Sequence, residues 1–106
     1  MIGAGDLNRR LTLEAPSESD DGAGGVIRGY AAVATLWGNV APQAMRADVA
    51  AASLGAVQRF RIVIRRRDDV TTHHRLRDDD AIYAIVAARV SADRRFIEID
   101  AALRED

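Results

Sequence analysis

The residues of this chain that could do chemistry are few and lie close together: the acid pair Asp68 and Asp69, the histidines His73 and His74, the acid run Asp78, Asp79 and Asp80, and an arginine-rich segment, RFRIVIRRRDDV, from Arg59 to Val70. Adjacent histidines in an extended segment point to opposite faces, so His73 and His74 do not clasp one metal ion and read as a solvated pair. Three consecutive carboxylates offer hard oxygen ligands for a divalent cation, but the spacing and the glycine of a calcium loop are missing. A solvated turn, or counter-charges for nearby arginines, is the better account of them. Asp68 and Asp69 follow directly on an arginine run and are better explained as its counter-charges than as a general acid and base. No Ser-centred nucleophile elbow, P-loop or His-x-x-x-His pair is present. With no cysteine there is neither a thiolate metal site nor a Cys nucleophile. The expectation is a protein that is not an enzyme, with no catalytic residue, no cofactor and no metal.

The arginine segment poses the sharper question. Alternate residues of a strand show opposite faces, so Phe60, Ile62 and Ile64 form an apolar face and Arg59, Arg61, Val63, Arg65 and Arg67 a guanidinium-rich one. Such a face can meet nucleic acid, a protein partner or plain solvent. The net charge of -1 and the pI near 6.1 argue against a chain that holds DNA by bulk electrostatics. All 15 basic residues are arginine, which suits bidentate pairing at interfaces and equally suits a genome whose codons favour Arg and Ala. Phe60 is on the wrong face to stack a base beside the arginines. Trp37, the only tryptophan, lies in an apolar run and reads as a core anchor, and Tyr30 and Tyr83 as core or rim residues.

A chain of 106 residues is one domain by its size. Its composition, 48% hydrophobic and 29% charged, is that of a globular protein, but with 5% aromatic residues its core must be built from Ala, Val, Ile and Leu. Contacts with neighbouring subunits would add to so thin a core. The amino terminus has no apolar signal region and no window approaches the roughly 20 apolar residues of a membrane span, so cytoplasmic synthesis with no membrane partner is the default.

The elements follow from periodicity. Leu11 and Leu13 alternate with Arg10, Thr12 and Glu14 in a first strand that Pro16 is expected to stop. SESDDGAGGV reads as a long hairpin loop. Val26 to Pro42 reads as a strand buried on both faces, and Gln43 to Arg59 as a short helix or a loop of helical tendency. The arginine strand follows, then a brief extended segment around Arg75 to Arg77. Ala81 to Val90 reads as a buried strand, and FIEIDAAL as a partner that turns Ile97, Ile99, Ala101 and Leu103 inward. The sum is a mainly β fold, a small antiparallel barrel or sandwich with strands in meander order and one helical or loop insertion.

The order LNRRLTLEAP, a Gly-containing hairpin, YAAVATLWGNVAPQ, an Ala-rich insertion, FRIVIRRRDDVTTHHRLR and AIYAIVAARVSADRRFIEIDA resembles the head-tail joining family of tailed phages, also called head-closure or stopper proteins, which phage-derived gene transfer agents also carry. The resemblance runs from Leu7 to Leu103. Its most specific parts are the tryptophan before a short strand ending in AP, the I.IR.R.D strand at Ile62 to Asp68, and Tyr83 with Ile85. It departs from the pattern at Arg66, where such proteins often carry an aromatic residue. The resemblance implies a connector that forms a hexameric or dodecameric ring between the portal or adaptor and a tail terminator or other tail protein, in the neck of the particle, with assembly in the host cytoplasm. Such a ring retains the packaged DNA in its channel and gives the tail a docking platform. It further implies a channel-gating loop at Met45, Arg46, Asp48, Val49, Ser53, Leu54 and Val57. In a ring, outward strand faces become subunit interfaces, so Arg61, Arg65 and Arg67, with Asp68, Asp69, Asp78, Asp79 and Asp80, are expected to meet neighbouring subunits or partners. The alternative is a small nucleic-acid-binding barrel that grips phosphates with the same arginine face.

Overall fold

The computed structural model describes residues 4–43 and 58–104. After a 3-10 turn at Ala4–Asp6 come six strands: β1 Arg9–Asp20, β2 Val26–Pro42, β3 Arg59–Arg65, β4 Arg75–Asp78, β5 Ala81–Val90 and β6 Phe96–Arg104. They close into an antiparallel barrel in the order β1-β2-β3-β6-β5-β4. The order is not the expected meander: β3 pairs with β6, and β4 returns to β1. The long excursion from β3 to β4 carries the chain across the barrel, so the last two hairpins close it from the other side. The reading of Gln43 to Arg59 as helical falls mainly on residues outside the described ones, and Arg59 opens β3.

The interior is aliphatic, as the low aromatic content requires. Leu11, Leu13, Ile62, Ile64, Leu76, Tyr83, Ile85, Ile97, Ile99 and Ala101 pack together, each the inward residue of an alternating pair. Phe60 meets Tyr83 edge to face, with ring centroids 5.2 Å apart. Gly38 lets β2 come close to its neighbours: a Cβ there would lie 2.7 Å from Leu11 Cδ1 and 3.2 Å from the Val63 carbonyl oxygen. Outside the barrel wall Leu7 covers Val63 and Phe96 in a second small cluster, and Asn39 Nδ2 donates to the Asp6 carbonyl at 3.1 Å.

Three expectations are corrected. Pro16 does not end β1, which runs on to Asp20; it lies beyond the last β1–β4 pair, where the missing N–H breaks no ladder on that edge. The predicted loop thereby shrinks to Asp21–Gly25. Gly22 and Gly24 take positive φ there, and Asp21 Oδ1 accepts from the Ala23 and Gly25 amides at 2.8 and 2.9 Å, which holds its carboxyl below the ordinary value. Second, β2 is not buried on both faces. From Val26 to Val33 it is exposed throughout, because β3 reaches only to Gly38 and β4 only to the level of Glu14. Trp37 is 56% exposed instead of anchoring the core. Third, β5 is buried only in its first half: a bulge between Ile85 and Ala87 turns the strand, and Val86 to Val90 face solvent.

The first of these changes creates the most distinctive feature of the molecule. Ala15–Asp20 and Val26–Ala31 pair with each other alone, and at roughly 3.3 Å per residue this two-stranded arm extends about 20 Å past the barrel.

Candidate functional site

In the arginine row of β3, Arg61 is engaged inside the chain, while Arg59 and Arg65 are exposed. Arg61 lies opposite Asp100 of β6, and Val63 opposite Glu98; on the far side of β6, Arg89 of β5 lies opposite Glu98. Arg61 Nε donates to Asp100 Oδ1 at 3.1 Å and its Nη1 is 3.7 Å from Glu98 Oε1, while Arg89 reaches Asp100 Oδ2 at 3.2 Å and Glu98 Oε1 at 3.4 Å. Two guanidiniums and two carboxylates on three adjacent strands make a neutral lattice. Burial works to raise the Asp100 carboxyl, but the bonds from Arg89 and Arg61 outweigh it and hold the group below its ordinary value. Val63 interrupts the row, since it is buried under Leu7 and Phe96.

Beyond β3 the arginines find counter-charges in the next residues. Arg67 grips Asp69 with two parallel bonds, Nε to Oδ1 at 3.0 Å and Nη2 to Oδ2 at 2.9 Å. The bond raises the Arg67 pKa and lowers that of Asp69. Arg66 lies 3.7 Å from Asp68. Asp68 and Asp69 therefore are the counter-charges of the run, as their position suggests. Asp78 pairs with Arg9 at the barrel rim. Arg65, Asp79 and Asp80 form no ion pair with another described residue. So of the residues expected at an interface, Arg61, Arg67, Asp68, Asp69 and Asp78 are engaged inside the chain. The segment expected to gate a channel, Met45 to Val57, lies outside the described residues.

His74 Nδ1 accepts from the Thr71 amide at 3.2 Å and sits 2.9 Å from Thr71 Oγ1, so the histidine closes a turn. Among the described residues no group of three or more His, Cys, Asp or Glu side chains could hold a metal ion.

The residues that sequence reasoning missed are those at the root of the arm. Glu14 is 8% exposed, a buried charge on the outer face of the barrel wall. Its Oε1 accepts from Arg75 Nε at 2.7 Å, and Oε2 lies 3.9 Å from Arg77. The Arg75 guanidinium carbon in turn sits 3.8 Å above the ring of Tyr30 on the arm. This stack of Glu14, Arg75 and Tyr30 joins β1, β4 and β2 and clamps the arm to the barrel. Only the β1–β4 pairing brings Arg75 to Glu14, and no local pattern announces it.

The arm itself is two-sided in character. Its large exposed apolar side chains, Val26, Ile27 and Tyr30, are all on β2. The β1 half carries Pro16, Ser17, Glu18, Ser19 and Asp20, and Arg28 of the β2 half lies 3.4 Å from Glu18.

Comparison with known proteins adds three findings. The family model of the phage head completion protein matches residues 2–104. The structure is similar to the solution structure of protein SF1141 from Shigella flexneri 2a, with a TM-score of 0.75 over 99% of each chain at 21% identity, a likeness of fold. It is also similar to a chain of the virion of a native gene transfer agent particle, with a TM-score of 0.67, 25% identity, and 91% of this chain and 93% of that one covered. No curated protein matches significantly.

Proposed function

This chain belongs to the phage head completion protein family, and from that premise we propose that it is a structural, non-enzymatic connector of a phage or gene-transfer-agent particle. It forms a ring in the neck, between the portal or adaptor on the head side and a tail protein on the other. The ring retains packaged DNA and gives the tail its docking platform. One observation carries this reading: the family match spans the whole barrel. The similarity to a chain of a gene transfer agent virion supports it. Residues 45–57 are the proposed channel gate, and Arg65, Asp79 and Asp80 are the members of the predicted interface whose charges are left for a neighbour.

The alternative of a phosphate-gripping barrel is weakened at Arg61, in the middle of the arginine face, while Arg59 and Arg65 stay exposed. Arg61 and Arg89 are matched one to one by Glu98 and Asp100, so binding a phosphate would first break existing pairs.

Deleting the gene from a particle-producing strain tests the connector reading. DNA-packaging heads without attached tails, beside free tails, are the expected product. Normal numbers of tailed, DNA-filled particles would overturn it.

A further inference from the structure

The arm needs a partner. A two-stranded ribbon without a third strand or a covered face is marginal in water, yet here Val26 and Ile27, 57% and 56% exposed, stand near its tip on opposite faces. Both edges lack neighbours among the described strands, but they are not equal. Pro16 blunts the β1 edge, whereas the β2 edge from Val26 to Trp37 carries no proline and all the large apolar side chains. Association is therefore directed to β2.

The barrel holds one surface with matching properties. The outer half of β5, past its bulge, is paired with β6 on one side only, because the pairing with β4 ends at Ala84, opposite Arg75. It exposes Val86 and Val90, and the turn that follows exposes Arg94 and Arg95. Neither arginine forms an ion pair with another described residue. The arm tip is acidic, with Glu18, Asp20 and Asp21 against the single Arg28. Apolar strand meets apolar strand, and the acidic tip meets a turn in which Arg94 and Arg95 outnumber Asp93. Within the described chain no hydrogen bond or ion pair joins the two surfaces.

We infer that the arm of one copy docks on the outer half of β5 and the Ser91–Arg95 turn of a second copy, its acidic tip against Arg94 and Arg95. The contact joins two different patches of the same chain, so it is head to tail, and repeated copies close into a ring where the rotation allows. This rests on the ring proposed above and names the surface that builds it.

The chain has no cysteine, which makes disulfide trapping selective. Ile27→Cys and Val90→Cys are both at exposed positions and leave the core untouched. Particles carrying the double variant are oxidised, the neck is imaged, and the chain is run on a non-reducing gel. The expected result is a ladder of covalent multimers from the double variant and nothing beyond dimers from either single variant. Rings in the neck without a ladder, or an intrachain disulfide that speeds the monomer, would overturn the arm contact while leaving the ring in place. Absence of the chain from any neck ring would overturn the ring and the contact with it. Charge reversal gives a second measure at Glu18, which takes no part in the tip loop: Glu18→Arg weakens assembly, and adding Arg94→Glu with Arg95→Glu restores it. Failure of that restoration counts against the acid–base match.

Discussion

Replacing Arg75 by methionine should be among the most damaging changes to this fold, and replacing Glu14 at the same time should repair most of the damage. Glu14 is buried, and Arg75 supplies its close bond at 2.7 Å; Arg77, at 3.9 Å and half exposed, is a weak substitute. Arg75→Met strands the carboxylate, which costs about 3–5 kcal/mol, and it also removes the stack on Tyr30, worth about 0.5–1 kcal/mol at an exposed ring. Glu14→Leu alone leaves Arg75 with its stack and some solvent, so its cost is smaller, about 1–2 kcal/mol. In the double variant the introduced leucine and methionine side chains fill similar space without charge, and buried pairs replaced in this way are often neutral. Urea unfolding followed by circular dichroism measures all three. With a slope of about 1.5 kcal/mol/M, the Arg75→Met midpoint falls by about 2 M or more. The double variant should lie within about 1 M of the parent. If the two single costs simply add in the double variant, the two residues are not coupled and the clamp at the arm root is wrong.

Other consequences are nearer to hand. Gly38→Ala pushes a methyl group against Leu11 and the Val63 carbonyl, which should cost about 1–3 kcal/mol and lower the melting temperature by on the order of 10 °C, read by calorimetry. The Asp100 carboxyl is depressed in the folded state, so the stability it contributes is fully present above its unfolded pKa, near 3.8, and is lost as pH falls through the lower folded value. Melting temperatures of the parent and Asp100→Asn, measured from neutral pH downward, should therefore differ most at neutral pH and converge in acid; a constant gap would show that the bonds from Arg89 and Arg61 do not set the shift. Reversing Arg65 to glutamate should leave the isolated barrel folded, because its side chain is exposed and a single surface charge contributes little to stability, while blocking particle completion. Normal yields of tailed particles from that variant would remove Arg65 from the interface.

The strands are legible in the sequence because their inward residues alternate: Leu11 with Leu13, Ile62 with Ile64, and Ile97 with Ile99 and Ala101 point to one core, and each is fully or nearly buried. What alternation does not encode is which strand lies beside which. Arg61 can be placed on an outward face, but Arg89 is turned outward only by the β5 bulge, and their shared partners Glu98 and Asp100 follow only from β6 lying between β3 and β5. The same gap hides Glu14 and Arg75, which are far apart in sequence and joined by the β1–β4 closure. The burial of β2 is misread for a related reason. Its Ala- and Val-rich pattern fits a strand covered on both faces, and nothing local shows that β3 reaches along it only as far as Gly38.

The connector reading is tested most directly by imaging the neck of purified tailed particles by cryo-electron microscopy. A ring of this barrel between portal and tail, with its arms laid on neighbouring copies, is the predicted result. A neck that is complete without this chain would contradict it.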